Sequence, residues 1–108
     1  SSINERELLV VLSIKEYQEQ VANLLHDAGV KRFSVSNSTG YKKKEENLGW
    51  FAANASDAKT NSIMLFSFVT KAIADKAIVE IDNCNVETKN PFPVHVFVLD
   101  VENFSKLI

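Results

Sequence analysis

Cysteine, proline and glycine are all scarce in this 108-residue chain, which contains one, two and three of them respectively. The single cysteine, Cys84, excludes an internal disulfide and a zinc site built from several thiolates, and it fits a reducing compartment. No apolar run approaches the roughly 20 residues of a membrane-spanning helix, and no signal-peptide pattern opens the chain. The sequence therefore predicts a cytoplasmic protein.

An excess of charge of one sign is also lacking, because 12 basic residues stand against 14 acidic ones and leave a net charge of −2. That balance gives no bulk attraction to nucleic acid or to anionic lipid, so we expect no nucleic-acid partner. Hydrophobic residues make up 45% of the chain, as in ordinary globular proteins. The length predicts a single domain over residues 1–108.

The first part of the chain has a strand pattern followed by a helix pattern. Glu7 to Leu12 is a short run rich in branched apolar residues, which is typical of a strand. Ser13 and Glu16 have the spacing of a capping box. They predict a helix from Ile14 to Ala28, which Gly29 would end as a left-handed cap.

The rest of the chain predicts three more strands and a second helix. The pattern over Arg32 to Ser38 alternates apolar and small polar residues, as a half-exposed strand does. A loop over about residues 40–61 follows and is unusually long for a compact domain. After the loop, Ser62 to Val69 has the pattern of a strand, and a helix begins near Thr70. The stretch from Asn83 to Pro93 is polar, and its prolines block the continuation of the helix. Val94 to Leu99 is the last strand.

The order βαββαβ predicts a ferredoxin-like α+β fold, with a four-stranded antiparallel sheet and both helices on one face. In strands one, three and four, both the odd-numbered and the even-numbered residues are mostly apolar, so that both faces of each strand are apolar. Such strands are normally covered on both faces. Two helices cover one face, so we expect the other to be buried by self-association, with Val11, Phe66 or Phe97 among the interface residues. The alternative is that the long loop and the C-terminal tail fold over it.

The element order and three segments resemble the PII (nitrogen-regulatory) superfamily. The segments are the helix end Ala28-Gly29-Val30, the strand Phe33 to Thr39 that runs into Gly40-Tyr41-Lys42, and the closing stretch Val94 to Glu102. The resemblance implies a trimer with sheets packed inward, a protruding T-loop and ligand clefts between subunits. It also implies a regulatory role with a target such as a membrane transporter.

Two departures place the chain among divergent PII-like proteins, with the CutA-like (divalent-cation-tolerance) trimers as relatives. Typical members bind adenine nucleotides with a glycine-rich turn before the last strand, where backbone N–H groups approach phosphates. Residues 86–93 contain no glycine here and end in Pro-Phe-Pro. Asp100 and Glu102 stand where typical members carry basic residues. We therefore expect weak ATP binding or none.

The resemblance assigns ligand contacts to both ends of the expected cleft, namely Gly40, Tyr41, Lys42, Lys44, Thr88 and Lys89. The lysine run from Lys42 to Lys44 has two readings, an anion contact or a solvated run that Glu45 and Glu46 neutralise. The sequence identifies neither the small-molecule ligand nor a cofactor.

Trp50 and Phe51 are aromatic residues within an otherwise polar loop. They are candidates for docking on a partner, since aromatic residues are frequent interface anchors, and the alternative is that they fold back on their own protein. His26, His95 and Cys84 lack the spacing of a metal site. No nucleophile motif or phosphate-binding glycine loop is present, so we expect no enzyme.

Three functions remain open at the level of sequence. The first is a PII-like trimeric regulator that binds a small ligand and docks through its loop. The second is a CutA-like trimer that responds to a divalent metal, and the third is a structural trimer or minor enzyme subunit without a ligand.

Overall fold

The computed structural model describes residues 6–40, 60–89 and 92–105. The strands are β1 (Glu7–Ile14), β2 (Ser34–Gly40), β3 (Thr60–Val69) and β4 (His95–Asp100). The helices are α1 (Gln18–Asp27) and α2 (Lys71–Thr88), and a 3-10 turn at Lys15–Tyr17 precedes α1. The sheet is antiparallel in the order β2-β3-β1-β4. The predicted ferredoxin-like arrangement is confirmed.

The start of α1 differs from the sequence prediction. Ser13 belongs to β1, where it pairs with Ile63, and its buried hydroxyl donates to the carbonyl oxygen of Ile14 at 2.9 Å. It therefore caps no helix, and Ile14, which stands at the N-cap of the 3-10 turn, makes no side-chain cap bond. Strand pairing with β3 keeps the chain extended for two residues beyond the predicted end.

The end of α1 is as predicted. Gly29 has φ of +104°, and its N–H donates to the carbonyl oxygen of His26 at 3.0 Å. The N–H of Val30 reaches back to the carbonyl oxygen of Leu25 at 2.9 Å. These two bonds are those of a Schellman motif, in which a glycine adopts the left-handed conformation without steric cost.

Thr70 begins α2 as expected, since its hydroxyl oxygen accepts a hydrogen bond from the N–H of Ile73 at 3.2 Å. The helix continues to Thr88, further than its polar composition suggested. Polar residues are compatible with helix where their face is solvated, and Asp82, Asn83 and Glu87 are exposed.

The core lies between the helices and one face of the sheet. Alternate strand residues, such as Leu9 and Val11 of β1, point to it and are buried. They pack against buried residues of the other elements, namely Val21, Leu25, Ala74, Ala77, Ile81, Ile63, Leu65 and Val69. Within the described residues, no helix is long and apolar enough to cross a membrane.

Candidate functional site

The sheet face opposite the helices, called the open face below, is apolar and partly exposed. Its register aligns Val10 with Phe66 and Phe97, and Leu8 with Phe68 and Leu99. Phe68, Phe97 and Leu99 are 41%, 48% and 51% exposed. Six further members are half-buried, namely Leu8, Val10, Leu12, Met64, Phe66 and His95, while Ile14 and Ser62, which continue the register of this face, are buried. Neighbouring apolar side chains of this size are typical of an interaction surface.

One residue predicted for this surface lies elsewhere. Val11 has 0% exposure and belongs to the core under the helices, because it stands opposite Leu65 and Val96 on the helix side of the sheet. Phe66 and Phe97 lie on the open face, as predicted. Both faces of β1 are apolar in sequence, so composition did not distinguish them.

The C-terminal tail attaches at one end of the sheet. The N–H of Val101 donates to the carbonyl oxygen of Arg6 at 2.8 Å, and the Arg6 guanidinium lies 5.4 Å from the centre of the Phe104 ring. Residues 41–59, which include most of the predicted loop, are outside the described residues. The alternative in which the loop and the tail cover the open face therefore stays a prediction.

Three of the six predicted ligand residues lie within the described part of the chain. Gly40 ends β2 opposite Thr60, while Thr88 ends α2 and Lys89 follows it. Tyr41, Lys42 and Lys44 are outside the described residues, as are the predicted docking residues Trp50 and Phe51.

Gly40 ends the edge strand β2, and Lys89 ends the helix that leads into the opposite edge strand, β4, so both lie toward the same end of the domain. The register places the Gly40 end of β2 beside Ile14 of β1, and β4 begins at that end with His95. The edge strands β2 and β4 are three spacings apart in the sheet, or roughly 14 Å. A single chain therefore does not join these two sets of predicted ligand residues at one sheet edge.

Thr88 and Lys89 form the exposed end of α2. The Thr88 hydroxyl donates to the carbonyl oxygen of Cys84 at 2.8 Å, and its lone pairs can still accept. Lys89 adopts φ 48° and ψ 47°, a left-handed conformation that is costly for a residue with a side chain. Its N–H donates to the carbonyl oxygen of Val86 at 3.3 Å.

Asn85 holds the connection between α2 and β4, a role that sequence reasoning missed. Its side-chain amide donates to the carbonyl oxygen of Val94 at 2.8 Å and accepts from the N–H of Val94 at 2.9 Å. This reciprocal pair imitates a strand pairing and anchors the residue just before β4. An asparagine in a polar stretch gives no sequence signal of such a role.

The two histidines lie in different environments. His26 is exposed on α1, whereas His95 is half-buried on the open face, where burial lowers its pKa below the ordinary 6.5. Cys84 is half-buried and accepts a weak hydrogen bond from Gln20 at 3.8 Å. Among residues 6–40, 60–89 and 92–105, no cluster of three or more metal-binding side chains is found.

Asp100, one of the two acidic residues that depart from the typical pattern, faces Glu7 across the β1–β4 pair. Partial burial raises the pKa of Glu7, and the hydrogen bond and negative charge of Asp100 raise it further. The positive charge of Lys71 lowers the pKa, and the negative charge of Asp75 raises it. Lys71 is bridged to Asp75 at 3.7 Å. The Asp100 carboxyl is therefore engaged within the fold.

No family model matches the sequence, and no curated protein matches it. Solved structures do match the fold. The apo form of CPII from Thiomonas intermedia K12, a nitrogen regulatory PII-like protein, matches with a TM-score of 0.66 at 18% identity, over 89% of this chain and 88% of that one. CPII bound to ADP, AMP and bicarbonate matches with a TM-score of 0.64 at 18% identity, over 93% of each chain.

A PII-like signalling protein from Thermus thermophilus matches with a TM-score of 0.63 at 11% identity, over 89% of this chain and 86% of that one. At such identities the likeness establishes the fold. The resemblance noted from the sequence is thus confirmed at that level, since the chain has the fold of PII-like regulatory proteins.

Proposed function

We propose that this chain, with its PII-like fold, is a regulatory protein that forms a trimer, binds a small ligand between subunits and docks on a target protein through residues 40–61. Residues 1–108 would act as one cytoplasmic, non-catalytic domain. The observation that carries it is that Gly40 ends one edge strand of the sheet, while Lys89 ends the helix that leads into the other edge strand, both toward the same end of the domain. In a trimer whose open faces pack inward, the β2 edge of one subunit lies beside the β4 edge of the next, and the Gly40 end of the first would then approach Lys89 of the second.

The open face supports the trimer. Phe68, Phe97 and Leu99 are each about half exposed on this face, and burying them against further copies removes apolar area from water. A closed symmetric assembly buries the face in every copy. CPII, a nitrogen regulatory PII-like protein, and the PII-like signalling protein from Thermus thermophilus have folds that match this one, which supports a regulatory role.

Light scattering tests the trimer. We expect a mass of about 36 kDa, which is three times the 12.1 kDa chain. Phe97→Glu should give a folded monomer, because it places a charge in the interface. Val79→Glu is the matched control, since Val79 is 56% exposed on α2, away from the open face, and this variant should stay trimeric. A monomeric unsubstituted protein would contradict the proposal.

A thermal-shift screen tests the ligand site, because a ligand that binds the native state raises its melting temperature. The screen uses ADP, AMP, ATP, bicarbonate and divalent cations, and the cation arm addresses the CutA-like alternative. The shift should shrink in Lys89→Ala and persist in Lys76→Ala, which removes an exposed lysine from the side of α2. An equal ligand-induced rise in melting temperature in both variants would show that Lys89 does not contact the ligand.

The double substitution Trp50→Ser, Phe51→Ser tests the docking role of the loop. If the two aromatic residues are a docking tip, the melting temperature should stay nearly unchanged and target binding should fall by about 2 kcal/mol or more. If they pack on their own protein, the substitutions should cost several kcal/mol of stability. A large drop in melting temperature would contradict the docking role.

A further inference from the structure

The side chain of Asn85 closes the connection between α2 and β4 into a loop. Asn85 belongs to the last turn of α2, and its amide bonds both the carbonyl oxygen and the N–H of Val94, at 2.8 and 2.9 Å. Val94 is 6% exposed and belongs to the hydrophobic core. The connection is therefore anchored at both ends, by the helix at one and by a buried residue at the other.

The left-handed conformation of Lys89, which lies within this loop, needs such an anchor. A residue with a side chain pays a steric cost at φ 48° and ψ 47°, and strained backbone persists where the surrounding structure determines it. The N–H of Lys89 donates to the carbonyl oxygen of Val86 at 3.3 Å, which is long for a backbone hydrogen bond. That bond holds the turn weakly, so the fixed position of Val94 supports it from the other end.

The turn decides where two exposed polar side chains lie. The Thr88 hydroxyl donates to the carbonyl oxygen of Cys84, so toward a ligand it is left as an acceptor. Lys89 supplies a positive charge and three N–H donors. A ligand that carries an anionic group beside a hydroxyl group, as a nucleoside phosphate does, matches this pair.

We propose that Asn85 is a positioning residue for the proposed ligand cleft. By clamping Val94 it keeps Lys89 in its left-handed turn, and thereby fixes where the Lys89 side chain meets a phosphate of the ligand. This inference rests on the ligand site of the proposed function. Asparagine suits the role because its amide offers a donor and an acceptor side by side, as the two backbone groups of Val94 require.

Isothermal calorimetry with ADP, at pH 7.5 and at a temperature where every variant is folded, tests the inference. The unsubstituted protein should bind ADP. Asn85→Ala removes the clamp, and binding should weaken about tenfold, because a charged hydrogen bond to the phosphate is misplaced. Asn85→Asp should act in the same direction, since an ionised carboxylate accepts from the N–H of Val94 but repels its carbonyl oxygen, and it serves if the first variant does not fold.

The chain offers a matched control in Asn83, an asparagine exposed on the same helix. Asn83→Ala should bind ADP like the unsubstituted protein. A lower melting temperature with unchanged ADP affinity in the folded Asn85 variants would overturn the positioning role, because it would show that the clamp serves stability alone. The proposed ligand site would then still stand.

A double-mutant cycle tests whether Asn85 acts through Lys89. If it does, Asn85→Ala should weaken ADP binding far less in a Lys89→Ala background than in the unsubstituted protein. Hydrogen exchange without ligand should also be faster at the Lys89 amide in Asn85→Ala. A tenfold loss that persists in the Lys89→Ala background would overturn the inference. An unsubstituted protein that does not bind ADP would overturn the nucleotide site itself, and the role of Asn85 with it.

Discussion

Glu7 and Asp100 are two carboxyl groups that face each other across antiparallel strands, at the end of the sheet where α2 begins. Like charges in directly opposed positions destabilise a strand pair. The pKa of Glu7 is raised by partial burial, by the Asp100 hydrogen bond and by the Asp100 charge. A raised carboxyl pKa means that the folded chain holds its proton more readily than the unfolded chain.

Glu7→Gln should therefore stabilise the protein at pH 7 and have less effect near pH 4. The contribution of a carboxyl with raised pKa is present below its unfolded value of 4.5 and is lost as the pH rises through the folded value. The neutral amide avoids that loss. The measurement is the urea midpoint of both proteins at the two pH values.

The control for this comparison is Glu16→Gln, which neutralises an exposed carboxylate on the 3-10 turn. It should shift the midpoint little at either pH. Equal midpoints for Glu7→Gln and the unsubstituted protein at pH 7 would show that the facing carboxyls do not destabilise the fold.

At the scale of the elements, each helix is followed by a residue with positive φ, a region that suits glycine and is costly for a residue with a side chain. Gly29 takes a positive φ after α1, where glycine has no steric penalty, and Lys89 takes φ 48° after α2, where a side chain does. A methyl group at position 29 would meet Ile73 at an ordinary 3.6 Å, so the backbone angle decides the cost there.

Gly29→Ala should lower the free energy of unfolding by about 1 kcal/mol, and Lys89→Gly should raise it by up to about 1 kcal/mol. Equilibrium denaturation measures both. Lys89→Ala is the control, since it removes the charge but keeps the side-chain strain, and it should match the unsubstituted protein. Stabilisation by Lys89→Ala equal to that by Lys89→Gly would assign the effect to the charge.

At the scale of the whole molecule, the connection from α2 to β4 bears on which nucleotides the proposed cleft accepts. Residues 86–93 contain no glycine and two prolines, so they offer fewer N–H groups that can approach a phosphate. Asn85 also ties the end of this connection to α2 through Val94. The connection is thus poorly suited to wrap around a triphosphate.

ATP should bind at least about tenfold more weakly than it binds to a PII protein that has the glycine-rich turn. Each missing backbone donor costs roughly 1 kcal/mol or more. Isothermal calorimetry of the two proteins, run side by side in one buffer, measures the difference. A low-micromolar ATP affinity for this chain would contradict the prediction.

Most features that depend on neighbours in sequence were predicted from the sequence alone, and the capping box at Ser13 is the exception. Thr70 begins α2 and Gly29 ends α1, because capping is decided within a few residues. The βαββαβ order followed from hydrophobic periodicity in the same way. With the rules for connecting strands, that order was sufficient to predict the fold.

Features that depend on pairing between distant segments were decided by the tertiary structure. The register with β3 keeps Ser13 in a strand and turns Val11 toward the helices, although an apolar pattern on both faces permits either orientation. The facing of Glu7 and Asp100 arises from the pairing of strands more than 80 residues apart. So does the placement of His95 on the open face, because interstrand hydrogen bonds, and not local spacing, determine which side chains share a surface.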